Sequence, residues 1–270
     1  MTGVIMAFQD YSFVRGILNS PWVGLRYFRT FFTSYDCGRL IRNTLSVGFI
    51  KCILEFPFPI LLALMINEVR IQSVKKTTQT ISYLPYFLSS VIVVTMLQRI
   101  LAPDTGMLNQ IKALFGGDSS TFYLMSDKYF YQILFTMDIW KFIGWSSIIY
   151  LAAISGVDAE LYEAGKIDGC GKLRQIWHIT LPGISGTIGI LFIMNVGSLL
   201  STGVEQIYLL HTPGNKAVSD TLDYFVLQVG IKNGQFGYAT AMGLIQGAVG
   251  LFLVAVCNSL AKKFASISLW

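Results

Sequence analysis

Residues Phe236 to Leu260 read FGYATAMGLIQGAVGLFLVAVCNSL, a run with no acidic or basic side chain. Coiled as an α-helix at about 1.5 Å per residue, it is long enough to cross the roughly 30 Å of hydrocarbon in a bilayer. It lacks the strict alternation of a barrel strand. Four upstream stretches have similar length and character: approximately Ile41 to Ile66, Gln79 to Ile100, Phe130 to Ala153 and Pro182 to Gly203. The expectation is an all-α, polytopic membrane protein with five spans in this chain.

The rest of the chain agrees. Of its 270 residues 53% are hydrophobic and only 13% charged, with mean hydropathy +0.58. Soluble domains run near a quarter charged, so the composition argues against an aqueous enzyme or a nucleic-acid binder, and it excludes disorder. Cys37, Cys52, Cys170 and Cys257 have no close spacing, and His178 and His211 are the only histidines. Neither a metal site nor a disulfide framework has support from that pattern. Met1 to Ser34 has no basic region followed by an unbroken apolar stretch, so no cleavable signal is read there.

Short-loop lysines and arginines set the expected orientation. Arg70, Lys75 and Lys76 follow the first span; Lys166, Lys172 and Arg174 follow the third; Lys262 and Lys263 follow the fifth. These segments are expected in the cytoplasm, which places residues 1–40 outside as an amphipathic segment, with Trp22, Tyr27, Phe31 and Phe32 at the outer interface. The transmembrane domain then covers 41–263, and 264–270 is a cytoplasmic tail. Arg15, Arg26, Arg29, Arg39 and Arg42 lie on the wrong side for this rule. A further span upstream, with Met1 not the natural start, is the expected resolution.

Ionisable groups inside spans are costly and usually face a bundle interior or a water-filled route. Counted from the outer ends at about 1.5 Å per residue, Lys51, Ser89, Asp138, Asn195 and Gln246 all fall roughly 12–16 Å deep. Lys51 is expected to pair with Glu55 at i, i+4, and Asp138 with Lys141 at i, i+3. Trp140, Phe142 and Trp145 flank Lys141, and flat rings beside paired charges suit a sugar, whose C–H faces stack while its hydroxyls bond. Lys51, Glu55, Ser89, Asp138, Trp140, Lys141, Asn195 and Gln246 are therefore the expected substrate path. Pro57, Pro59 and Pro85 read as kinks, and Gly243 with Gly247 as a small-residue packing face.

The loop between the third and fourth spans, Asp158 to Pro182, reads DAELYEAGKIDGCGKLRQIWHITLP. Asp158 can cap a short helix running to Lys166, and Gly169 and Gly171 permit a sharp turn. A second amphipathic helix follows, with Leu173, Ile176, Trp177 and Thr180 at helical spacing, and Pro182 opens the fourth span. This loop resembles the EAA signature of binding-protein-dependent ATP-binding-cassette importer permeases. Glu163, Ala164, Asp168, Gly169, Ile179, Leu181 and Pro182 stand at the family spacing, while Gly165, Cys170 and Ile176 depart from it. Asn43 to Val69, the Tyr83-Leu84-Pro85 segment, the Asp104 to Asn109 turn and the closing Ser268-Leu269-Trp270 are similar to the oligosaccharide and polysaccharide branch of the maltose-type permeases.

That resemblance implies a type I importer transmembrane domain and a non-enzymatic permease subunit. It implies a second, related permease chain, two ATPase subunits that bind ATP and magnesium, an external solute-binding protein, a carbohydrate substrate and surrounding lipid. No cofactor is expected in this chain, and the location it implies is the bacterial cell membrane. The coupling residues it implies are Glu163, Ala164, Gly165, Asp168, Gly169, Ile179, Leu181 and Pro182. The chain does not read as an ATPase: Lys166 stands where a phosphate loop needs glycine, and Leu173 where it needs Ser or Thr. The rival readings are an importer permease for a non-sugar solute and a secondary transporter. No internal repeat of the kind a secondary transporter shows stands out.

Overall fold

The computed structural model describes residues 2–118 and 120–265. The tail expected over 264–270, with its closing Ser268-Leu269-Trp270, lies outside them apart from the end of the last helix. Among the described residues there is no strand, only one isolated antiparallel bridge between Gln9 and Trp22. The longer helices are α1 (Arg26–Thr33), α2 (Cys37–Glu68), α3 (Gln72–Phe87), α4 (Ser90–Ile100), α5 (Met107–Leu114), α6 (Asp127–Ser155), α7 (Ala159–Ile167), α8 (Lys172–Gly183), α9 (Ser185–Gly197), α10 (Val204–Leu210), α11 (Leu222–Leu227) and α12 (Phe236–Ala265). Three of them, α2, α6 and α12, are long and apolar enough to span a bilayer unaided.

The other two expected spans are broken. α3 and α4 meet at 94°, and α8 and α9 at 65°. At the first break Pro85 sits in a 3-10 turn, Leu84–Phe87, and the Ser89 hydroxyl caps α4 by accepting from the Val91 N–H at 3.3 Å. Pro85 thus precedes a corner, where the sequence suggested a kink. At the second break Pro182 lies inside the last turn of α8, so the fourth span does not open there but at Ser185. Neither α4 nor α9, at about 1.5 Å per residue, crosses the hydrocarbon alone.

In α2 the ladder slips into a π turn at Lys51–Glu55. Pro57 and Pro59 have no N–H to offer the carbonyls of Ile53 and Glu55 in the regular pattern. The extra residue in the turn re-registers the chain while the helix runs on to Glu68.

Cα proximity divides the chain into two compact units, each assembled from separated stretches. One holds the chain up to Ile50, Ser89–Leu134 and Ser198–Phe252; the other holds Lys51–Leu88, Phe135–Gly197 and the chain from Leu253. The first is centred on Ala7, Phe31, Cys37, Leu40, Leu222, Ala241 and Met242. It is pinned by buried polar contacts: Asn43 donates to the carbonyls of Ala217 and Asp220 at 2.8 and 2.9 Å, and the Leu222 N–H donates to Thr44 Oγ1 at 2.8 Å. Phe31 belongs to this core and Tyr27 packs against it, so of the four aromatics expected at the outer interface only Trp22 and Phe32 are exposed.

The second unit is built on Ile60, Ala63, Leu64, Ile66, Tyr150, Leu151, Ile154 and Ile184. Within it α6 approaches α3 so closely that a Cβ on Gly144 would run into the Ser82 carbonyl. Gly243 and Gly247, expected to pack, have nothing within 4 Å of an added Cβ.

Gly144→Leu should therefore destabilise the purified, detergent-solubilised protein by about 1–3 kcal/mol or more, whereas Gly247→Ala should leave its thermal midpoint unchanged. Equal midpoints for Gly144→Leu and the parent would contradict the close approach of α3 and α6.

Candidate functional site

The hairpin α7–α8 is held from inside. Asp158 caps α7 by accepting from the Glu160 N–H at 2.9 Å. The reversal falls on Gly169, whose φ of +74° suits glycine and strains any other residue. The Cys170 N–H returns to the Gly165 carbonyl at 2.8 Å. Gly165 is buried, and a Cβ added there would lie 2.9 Å from Ile179 Cδ1. The glycine that departs from the family alanine thus seats Ile179, a residue that matches it. Across the hairpin the Tyr162 and Thr180 hydroxyls are 2.9 Å apart, and Gln175 Nε2 donates to the Cys170 carbonyl at 3.1 Å.

The second helix differs from its expected amphipathic pattern. A π turn runs from Ile176 to Thr180, so the buried face is formed by Gln175 and Thr180 with Ile176 and Ile179 partly covered. Leu173 and Trp177, expected on the packed face with them, are exposed. The added residue rotates the chain on either side of the turn, and a constant period of 3.6 could not anticipate it. Leu161, Ile167, Leu173 and Trp177 are all uncovered, beside exposed Glu163, Ala164 and Asp168. Leu181 is half-buried against the apolar core of the unit, and Pro182 is exposed. Lys172 Nζ reaches Glu68 Oε2 at 2.8 Å, a tie to the end of α2 that no local spacing signalled.

The mid-span charges are also arranged differently from expectation. Lys51 Nζ lies 2.7 Å from Asp138 Oδ2, joining α2 to α6, and the Asp138 side chain is fully buried. This cross-helix contact is one that sequence spacing does not indicate, while Glu55 and Lys141, the expected same-helix partners, lie within electrostatic reach of Lys51 and Asp138. Glu55 Oε1 and Asp138 Oδ1 are buried without a hydrogen-bond partner. Lys141, one turn on from Asp138, is buried with Nζ 5.3 Å from the centroid of the Phe142 ring.

The aromatics divide. Trp145 stacks flat on Tyr86 with ring centroids 4.5 Å apart and 6° between planes, and Phe142 meets Tyr86 edge-on at 6.0 Å. Tyr86 was not singled out from sequence; it comes from the corner between α3 and α4. Trp140 is exposed. Asn195 is half-buried on α9 in the same unit as Lys51 and Asp138.

Ser89 and Gln246 belong to the other unit. Ser89 is exposed at its cap position. Gln246 Nε2 donates to Asp223 Oδ1 at 2.8 Å, and Asp223 Oδ2 accepts from the N–H of Thr202 at 2.6 Å and its hydroxyl at 3.1 Å. Asp223 escaped the sequence reading because it lies outside every apolar run. Among the described residues no group of three His, Cys, Asp or Glu side chains is placed to hold a metal ion.

Comparison with known proteins places this geometry. A family model described as binding-protein-dependent transport system inner membrane component matches residues 55–266. The chain is 47% identical over 264 residues to the polygalacturonan/rhamnogalacturonan transport system permease protein YteP of Bacillus subtilis (strain 168), covering 98% of this chain and 82% of that protein. It is 42% identical to protein LplB of the same organism, covering 98% and 83%. Among solved structures, a chain of a bacterial alginate ABC transporter in complex with an alginate pentasaccharide-bound periplasmic protein superposes with TM-score 0.90 at 35% identity, covering 99% of this chain and 88% of that one.

Removing one partner from a buried ion pair leaves the other uncompensated, at a cost of about 3–5 kcal/mol. Lys51→Met and Asp138→Leu should each lower the thermal midpoint of the purified protein, and the double substitution should recover most of the loss. Additive losses in the double variant would show that the two side chains do not act as a pair.

Proposed function

This chain belongs to the binding-protein-dependent transport system inner membrane component family, and we propose that it is the translocating permease subunit of an ATP-driven importer of acidic oligosaccharides. Hydrolysis takes place in two separate ATPase subunits. A solute-binding protein delivers the sugar from outside, and a second, related permease completes the pathway. The chain lies in a bacterial cell membrane with its C-terminus and the α7–α8 hairpin in the cytoplasm, an orientation favoured by the loop charges Arg70, Lys75, Lys76, Lys166, Lys172 and Arg174.

The observation that carries the coupling role is the hairpin surface. A short helical reversal with its inward face fully engaged leaves Leu161, Ile167, Leu173 and Trp177 in the open. An isolated apolar side chain at a surface is ordinary, but four on one projection mark a protein contact. Seated in a cleft of the ATPase, the hairpin moves when the ATPase dimer closes, with Glu163 as the carboxylate available to a basic residue there. Its apolar root, Ile176, Leu181 and Ile184 against Ile60, Leu64 and Ile154, passes that displacement to the spans.

The substrate class rests on the relatives: one is named for polygalacturonan and rhamnogalacturonan, and a second solved neighbour imports the acidic polysaccharide alginate. Trp140, Trp145 and Phe87 are the exposed rings of α6 and α3, and a pyranose face can stack on such rings. Asp138 serves this path by holding α6 to α2, and its carboxylate is taken up by Lys51.

In proteoliposomes holding the complete importer, Glu163→Lys and Gly169→Pro should reduce ATP-dependent uptake of an oligogalacturonide at least tenfold, while the variants insert into the membrane as well as the parent. Full uptake in both variants would overturn the coupling role. Uptake driven by a proton gradient without ATP would overturn the importer reading itself.

A further inference from the structure

The segment preceding the first span carries a surface that its own unit leaves uncovered. Residues 10–23 form a loop closed at its neck: the Asp10 N–H donates to the Pro21 carbonyl at 2.9 Å, the Val23 N–H to the Phe8 carbonyl at 2.8 Å, and the Ser12 N–H to Ser20 Oγ at 3.2 Å. A pinched neck holds the tip in place, and at that tip Phe13, Val14 and Leu18 are 82%, 95% and 96% exposed. On α1, which follows, Tyr27, Phe28 and Phe31 turn inward to the core, while Phe32 and, just before the helix, Leu25 are exposed.

Arginines lie among these side chains. Arg15 sits at the loop tip, and Arg26 and Arg29 lie on the outward side of α1, all three exposed. Among the described residues no carboxylate lies within ion-pair distance of any of them, although Arg39 nearby is bridged to both Asp36 and Asp220 at 2.9 Å. The outward side chains of Ile41, Leu45 and Phe49 continue the apolar surface along α2 at intervals of four residues. That stripe lies on a helix long and apolar enough to span the bilayer, and only three residues separate α1 from that helix.

We propose that the loop tip and the outer side of α1 form an interfacial anchor for anionic phospholipid. Phe13, Val14 and Leu18 enter the headgroup–acyl boundary, and Arg15, Arg26 and Arg29 hold lipid phosphates above them. Charge complementarity selects the occupant: exposed apolar residues among guanidinium groups that lack a carboxylate partner match a layer that is apolar below and anionic above. Near an anionic membrane surface each arginine strengthens binding about fivefold. The arrangement gives three of the five N-terminal arginines a role as headgroup ligands.

The test places an environment-sensitive fluorophore at Phe13→Cys in the full chain, with Cys37, Cys52, Cys170 and Cys257 replaced by serine, in nanodiscs of phosphatidylcholine alone or with phosphatidylglycerol. The expected result is quenching of the probe by headgroup-depth nitroxide lipid, stronger when phosphatidylglycerol is present. Arg15→Gln/Arg26→Gln/Arg29→Gln should lose the phosphatidylglycerol preference, by roughly a hundredfold in lipid retained under native mass spectrometry. The corresponding triple Lys variant should retain most of it, which separates charge from folding. A probe open to aqueous iodide in both membranes would overturn the proposal. So would one shielded only after a solute-binding protein is added, which would assign the surface to a protein partner.

Discussion

Hydrocarbon offers no hydrogen bonds, and that constraint shapes every element of this chain. A backbone group left unsatisfied inside the membrane costs several kcal/mol, so wherever the helical ladder is interrupted something else must take its place. Pro57 and Pro59 remove two donors from α2, and the chain answers with a π turn at Lys51–Glu55. At the corner between α3 and α4 the Ser89 hydroxyl caps the incoming helix. Beyond α9 the Asp223 carboxylate accepts from the Thr202 N–H and hydroxyl. Each break in regular structure coincides with a polar side chain or a locally altered ladder.

The same constraint explains why the mid-span charges are paired across helices. A lysine inside a span needs a counter-charge, and the nearest acid in sequence has no advantage unless packing brings it close. Lys51 and Asp138 meet because the stretches of α2 and α6 that carry them pack within one unit. The pair thus reports helix register.

Much of this was legible in the chain, for reasons that can be traced residue by residue. Apolar length located the three unbroken spans, because a run such as Phe236 to Leu260 permits one outcome in a bilayer. Local chemistry located the Asp158 cap and the Gly169 turn, since a capping carboxylate and a positive φ depend on immediate neighbours. What escaped was whatever depends on register over distance. The π turn at Ile176–Thr180 exposed Leu173 and Trp177, the α3 corner presented Tyr86 to Trp145, and Gln246 found Asp223. Length and composition likewise could not distinguish a straight span from a bent pair, since both are equally apolar.

The ion pair has a consequence for the order in which the protein is made. Lys51 leaves the ribosome 87 residues before Asp138, an interval of about 4–17 s at ordinary synthesis rates. During that time the first span holds an ammonium group whose eventual partner does not exist. Glu55, one turn along the same helix, is the acid already present. Both compact units also draw on the last helix, so each is complete only once that helix has been made.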